Sequence, residues 1–158
     1  MNKNIFLNRE IVLIKHLKGA PGLRFFGAGP NLLPCRGLYK LKNLLDKNTS
    51  WAKKRKLKDL KHCLANSDAI VSLWSNNKIL GFGRALSDGI YRSVLWDIVI
   101  DHQHQGKGYG KLIVKSLLES KKINQSEKVY LMTSTQKNFY CQIGFKEVLS
   151  QNLLIKKY

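Results

Sequence analysis

The hexapeptide Gln105–Gly106–Lys107–Gly108–Tyr109–Gly110 alternates glycine with larger residues and sits between an apolar run, Ser93 to Ile100, and a helical pattern. A strand, a glycine turn and a helix N-terminus in that order can hold an anion with backbone alone. The first N–H groups of a helix have no partner within it, and its dipole adds partial positive charge there. Glycine admits positive φ and has no side chain to keep a phosphate at a distance. Lys107 and Lys111 bring further positive charge. The spacing departs from the Walker loop, since Leu112 rather than Ser or Thr follows Lys111 and the glycines are too close together. It also departs from the dinucleotide fingerprint, because the third glycine comes early and the next apolar run ends in Thr133 rather than an acid. A structural turn without a ligand is the competing reading.

A second chemical candidate lies just upstream. Asp97 is the one carboxylate inside the run Ser93 to Ile100. Burying a carboxylate is costly unless it is paired or has a task. It is read either as a base that takes a proton from an incoming ammonium, directly or through water, or as a structural partner of Arg84 or Arg92. Asp101 reads as a capping residue at the end of the run. His102 and His104 offer two ligands on a loop, which is too few for a metal, and Cys35, Cys63 and Cys141 lack Cys-x-x-Cys spacing. No metal site is expected, and the cysteines are read as reduced packing residues of an intracellular chain.

The elements that must position these groups follow from periodicity. Leu38, Leu41 and Leu45 mark one helix, and Leu57, Leu60 and Leu64 mark a second within 51–66. On that reading Lys53–Lys54–Arg55–Lys56 forms the wet face of the second helix. The runs 69–74 and 78–86 are strands joined by a hairpin turn at Ser75–Asn76–Asn77. The apolar run before the glycines is a strand buried on both faces. After them, Tyr109, Leu112, Ile113, Ser116 and Leu117 share a helix face. Lys128 to Thr133 is a strand, Lys137 to Gln142 a short helix that Gly144 can end, and FKEVL and NLLIKK are two closing strands. Residues 1–22 read as an arm with a short strand near Ile11–Ile14, and residues 23–158 as a single mixed α/β (α+β) domain.

Composition narrows the class. Twenty-eight Lys and Arg against 10 Asp and Glu give a formal charge of +18. Such an excess points to an anionic partner, whether nucleic acid, a membrane surface or a phosphate-rich ligand. Compositional drift toward lysine is the plainer reading. No apolar run approaches the ~20 residues of a membrane span, and Ile11–Ile14 is too short for a signal-peptide core.

The pattern Gln-x-x-Gly-x-Gly at Gln105, Gly108 and Gly110 resembles motif A of the GNAT (GCN5-related) N-acetyltransferases. The later FYCQIGF, Phe139 to Phe145, resembles the segment that ends the same fold. GLRFFG, SDGIYRSVLWDIVI and VYLMT look like the cyanobacterial and plastid branch that includes plant serotonin N-acetyltransferases. The resemblance covers residues 23 to 150 and leaves the first 20 outside. It implies a mostly antiparallel twisted sheet flanked by helices, splayed between the two central strands to admit acetyl-CoA. The pyrophosphate would sit on the N–H groups of Gln105, Gly106, Lys107, Gly108, Tyr109 and Gly110. The pantetheine arm would pair with the backbone of Ile98, Val99 and Ile100, and an N–H near Ile98 or Val99 would hold the developing oxyanion. Tyr140 matches the tyrosine that protonates the departing sulfur. Where many relatives carry an Asn after the fifth strand, this chain has Ser134 and Thr135, with Asn138 later, as candidate cofactor contacts.

The implied activity is acetyl transfer to a primary amine by direct attack, with an arylalkylamine such as serotonin as acceptor. A protein lysine or N-terminal amine is the alternative acceptor. A basic nucleic-acid or ribosome-associated module is the alternative of another class. The expected partners are acetyl-CoA, a small amine and, in a homodimer, a second copy. Neither a membrane nor nucleic acid is expected, and the expected compartment is the bacterial cytosol or the plastid stroma.

Overall fold

The structure is a computed structural model that describes residues 3–6 and 10–157. Among the described residues, six strands form one sheet in chain order: β1 (Lys3–Phe6), β2 (Ile11–Lys15), β3 (Ala69–Ser75), β4 (Lys78–Ser87), β5 (Arg92–Ile100) and β6 (Lys128–Tyr130). Every neighbouring pair is antiparallel except β5 and β6, which run parallel. Helices α1 (Pro21–Phe26), α2 (Gly37–Asn48) and α3 (Leu57–Ala65) bury their leucines against one face of this sheet. Helices α4 (Tyr109–Leu118) and α5 (Lys121–Asn124) pack on the other. The short α6 (Lys137–Gln142) follows β6.

The alternation of β2 shows how one strand serves both layers. Val12 and Ile14 join the cluster under α2 and α3, while Ile11 and Leu13 join the cluster under α4. A side-chain period of two sends neighbours to opposite faces. The strand expected near Ile11–Ile14 is therefore present, and it pairs with β3 inside the sheet rather than lying in an arm beside it. Residues 1–2 and 7–9 of that expected arm lie outside the described residues.

The expected β3–β4 hairpin turn is present and is one residue shorter than Ser75–Asn76–Asn77: Ser75 still faces Lys78, and Asn76 takes φ 48°. Asparagine tolerates that left-handed conformation. On β4, Gly81 and Gly83 face α4. A Cβ on either would lie 2.7 to 2.8 Å from an Ile113 methyl group, so glycine sets the close approach of helix to sheet.

Two sequence expectations need correction. FKEVL and NLLIKK form no strand: residues 145–157 carry no regular element, and Leu149, Leu153, Leu154 and Ile155 are exposed. An apolar run becomes a strand only where a neighbour offers a hydrogen-bonding edge, and β6 pairs over three residues only. The run Lys53–Lys54–Arg55–Lys56 is not the wet face of a helix either. α3 starts at Leu57, so the run lies in the preceding loop, and Arg55 turns inward.

Candidate active site

β5 supplies the centre of the site, and its geometry departs from a plain strand. Its register with β4 slips by one residue between the pairs Phe82–Val99 and Arg84–Trp96. Asp97 sits at the slip with φ 54°. This is a β-bulge, in which two residues oppose one and the ladder is locally disrupted. The extra residue inverts the side-chain parity. Leu95 belongs to the α4 face, yet Val99, four residues on, belongs to the α2 face. Ile98 and Ile100 then point toward α4 and α6. A one-residue slip does this to every residue beyond it.

The other edge of β5 opens beyond the bulge. β6 pairs with β5 at Arg92–Lys128, Ser93–Val129 and Val94–Tyr130, and no further. β5 continues to Ile100 while the chain after Tyr130 leaves the sheet. The strand expected from Lys128 to Thr133 thus ends three residues early. The two strands splay here, and the β5 edge from Leu95 to Ile100 faces the opening.

The glycine turn lies at the end of that edge. Asp101 accepts a hydrogen bond from Gln103 N at 3.0 Å and pairs with Lys78 at 2.9 Å, closing a short 3₁₀ turn over His102–His104. Burial, the largest single influence, pushes the Asp101 carboxyl up, but Lys78, the Gln103 amide and His104 together hold it below its ordinary value. His102 bonds Asn48 Oδ1 through its backbone N at 2.8 Å and Nδ1 at 3.0 Å, tying the loop to the end of α2. These histidines organise the loop, and among the described residues no three metal-ligating side chains come together.

Gly106 and Gly108 have φ of 76° and 79°, and a Cβ on either would meet nothing within 4 Å. Gly108 is the N-cap of α4 and brings no side-chain hydrogen bond to the helix end. The N-terminus of a ten-residue helix is thereby left open beside an empty space, with exposed Lys107 and Lys111 at its margin. That arrangement fits a phosphate-bearing group. Gly110 has a different part: a Cβ there would sit 3.1 Å from the Phe139 ring, so its missing side chain lets α6 close on α4. Gln105 is exposed, and its amide donates to Ile100 O at 3.3 Å.

α6 brings Tyr140 to the same region. Its ring is half-buried and edge-on to Phe139 at 4.9 Å and to Phe145 at 5.9 Å. The ring packs into the cluster that also takes Ile98, Ile100 and Tyr109. Burial raises the Tyr140 phenol above its ordinary value. Thr133 Oγ1 accepts from Gln136 N at 3.0 Å and shapes the entry to α6. Ser134, Thr135 and Asn138 are exposed around that turn.

Asp97 is 7% exposed, and its Oδ2 accepts from Arg84 Nε at 2.6 Å and from Arg55 Nη1 at 2.9 Å. Arg84 was readable as a partner from sequence, whereas Arg92 pairs with Glu127 instead. Arg55 was not readable, because 42 residues separate it from Asp97. Its guanidinium also lies 5.5 Å from the Trp51 ring centroid. The pair pins the loop before α3 to the bulge. Removing one member of a buried ion pair typically costs ~3–5 kcal/mol because the other charge is stranded. Arg55 is more exposed than Arg84, so the lower end applies here. Asp97→Asn is expected to destabilise the fold by roughly 3 kcal/mol in urea denaturation. If Asp97 is chiefly this anchor, any kcat/KM deficit stays constant with pH. A deficit that grows as pH falls would return the base role to it.

The acetyltransferase (GNAT) domain family matches residues 61–147. This stretch holds β3 to β6, the glycine turn and α6, and the chain belongs to the GNAT acetyltransferase family. It is 35% identical over 113 residues to the uncharacterized N-acetyltransferase ycf52 of Pyropia yezoensis, covering 68% of this chain and 64% of that one. It is 28% identical over 130 residues to the chloroplastic GCN5-related N-acetyltransferase 2 of Arabidopsis thaliana, covering 69% and 50%. The chain therefore spans less than two thirds of the length of these relatives. Among solved structures, a GNAT-family putative acetyltransferase from Xanthomonas campestris pv. campestris superposes with a TM-score of 0.67 at 22% identity, covering 77% of this chain and 84% of that one. The fold is the mostly antiparallel, helix-flanked sheet implied by the sequence motifs.

Proposed function

We propose that this chain transfers an acetyl group from acetyl-CoA to a primary amine. The observation that carries the reading is the splay. β5 continues to Ile100 after its pairing with β6 stops at Val94, and its open edge runs straight to the uncapped N-terminus of α4. The amide arm of the donor would pair along Ile98 to Ile100, and its pyrophosphate would lie over Gly106 to Gly110. The donor supplies an activated acyl thioester. The residues of this chain do the rest. The strand edge fixes the acyl group where an amine can reach it, which converts a bimolecular attack into a positioned one. Backbone N–H groups near the bulge face the developing oxyanion. As the C–S bond breaks, the Tyr140 hydroxyl would give its proton to the departing sulfur, and the proton that the attacking nitrogen sheds would restore it, directly or through water.

The acceptor is a compact amine with an aromatic body. Residues 21–65, which supply α1 to α3 and lie mostly outside the matched family stretch, hold eleven Lys and Arg against two Asp. That field disfavours Lys-rich protein tails. A protein amine is the second reading, favoured by a 30% identical relative in Glycine max that bears the name histone acetyltransferase. An acetylation assay with mass detection separates the two. Tryptamine-like amines should be acetylated faster than a lysine-rich peptide at equal concentration, and the reverse order would reassign the acceptor.

A further inference from the structure

A cavity of about 570 Å³ lies between α1, α2 and α3 and shares no lining residue with the β5 edge, the glycine turn or α6. We infer that it is a binding site for an amphipathic anion, an aryl or acyl body carrying a phosphate or a carboxylate.

Four cations line the cavity: Arg24, Arg36, Lys58 and Lys61. No Asp or Glu lines it, and none of the four forms an ion pair among the described residues. Like charges gathered without a counter-charge repel one another and raise the local potential for an anion. The Nε of Arg24 is also enclosed without a hydrogen-bond partner. A buried donor left unmade is costly, and Arg24 is held against the Phe25 ring with its guanidinium carbon 4.3 Å from the ring centroid.

The walls are apolar. Leu23, Leu38 and Leu57 line the interior, and Phe25, Phe26 and Tyr39 stand around it 65%, 72% and 58% exposed. Three exposed rings around one concavity are more than scattered surface apolar residues, and they mark a place where something apolar docks. α3 also begins at this cavity, and its N-cap residue, Lys56, makes no side-chain cap bond. That helix end adds partial positive charge, whereas the first amide of α2, Gly37 N, is already held by Gly27 O at 2.9 Å.

The combination selects the ligand class. A solvated basic face needs no apolar interior, and a nucleic-acid backbone has no use for a leucine-lined cavity. The cavity shares no lining residue with the proposed acetyl-transfer centre, so the site is distinct from it. Its ligand is either a soluble amphiphile or an anionic lipid, which share this chemistry.

The test uses 1-naphthyl phosphate as probe, titrated by calorimetry with CoA in excess so that the glycine turn is not the binding place. Inorganic phosphate supplies the head alone, and 1-naphthol supplies the body without the anionic head. Saturable binding of naphthyl phosphate is expected, with both controls at least tenfold weaker. Lys58 and Lys61 are exposed, so K58E/K61E should keep the parent Tm and lose at least tenfold in affinity. Arg36→Glu should weaken the probe as well. Sedimentation with phosphatidylglycerol–phosphatidylcholine vesicles then separates the sources. Vesicle binding that naphthyl phosphate displaces assigns a lipid; its absence beside probe binding assigns a soluble ligand. No saturation by the probe, equal affinity in parent and K58E/K61E, or equal binding of the naphthyl phosphate and the naphthol each overturns the inference. None of these readouts depends on acetyl transfer, so the two proposals fail separately.

Discussion

Replacing Gly108 with valine is expected to abolish the protection that CoA gives against heat. At a ligand concentration of 100 Kd, binding to the native state alone adds about 2.7 kcal/mol. In a chain of this size each kcal/mol moves Tm by ~2–4 °C, so the parent should gain about 5–10 °C. Gly108 has φ 79°, and a Cβ there points into open space rather than into the protein. Valine therefore loses twice. A β-branched residue is strained in the left-handed region, and its methyl groups occupy the space where the pyrophosphate would lie. Gly108→Asn separates the two effects. Asparagine tolerates positive φ, so its unliganded Tm should stay near the parent's while CoA protection still fails. Full protection in both variants would place the cofactor away from the α4 N-terminus.

Tyr140→Phe is expected to lower kcat by roughly 10²–10⁴-fold. The substitution keeps the ring, so the edge contacts with Phe139 and Phe145 survive. It removes a half-buried hydroxyl that makes no hydrogen bond to the described residues, so stability should change little. KM for acetyl-CoA should also hold, because the proton is needed only as the sulfur departs. The pH profile gives a second check. A general acid works below its pKa and is lost above it. Burial raises the Tyr140 phenol from its ordinary value of 10.0. From the Tyr140 side, kcat in the parent should therefore stay flat to about pH 9 and decline only beyond. Equal turnover in parent and variant would leave Tyr140 as a packing residue between two phenylalanines.

The asymmetry between these two sites reflects how each is built. The part proposed for Gly108 rests on backbone within one loop, so a short stretch of sequence carries it. The part proposed for Tyr140 rests on the place that α6 gives it, which depends on Gly110 admitting Phe139 and on the sheet beneath.

Local pattern determined most of the elements. The leucine stripes of α2 and α3, the Asn76 hairpin, the strand β5, the glycine turn leading into α4 and the short α6 are each set by residues within one turn or one strand of each other; β5 alternates buried with half-buried residues rather than being buried on both faces as its apolar run suggests. Periodicity and φ preference act over that range. The two motifs, Gln105 to Gly110 and Phe139 to Phe145, likewise carried the family in a few side chains each.

Tertiary structure decided what depends on distant partners. The bulge at Asp97 is silent in the sequence because aspartate has no unique preference for it; the register between β4 and β5 puts it there. Arg55 looked like one more lysine-run cation until the fold laid its loop against a carboxylate 42 residues away. The apolar run at 153–155 reads as a strand but stays outside the sheet, because β6 stops at Tyr130 and gives it no edge to join. Hydrogen-bonded pairing and ion pairing are relations between segments. Composition supplies the groups, and only the chain's path brings them within 3 Å.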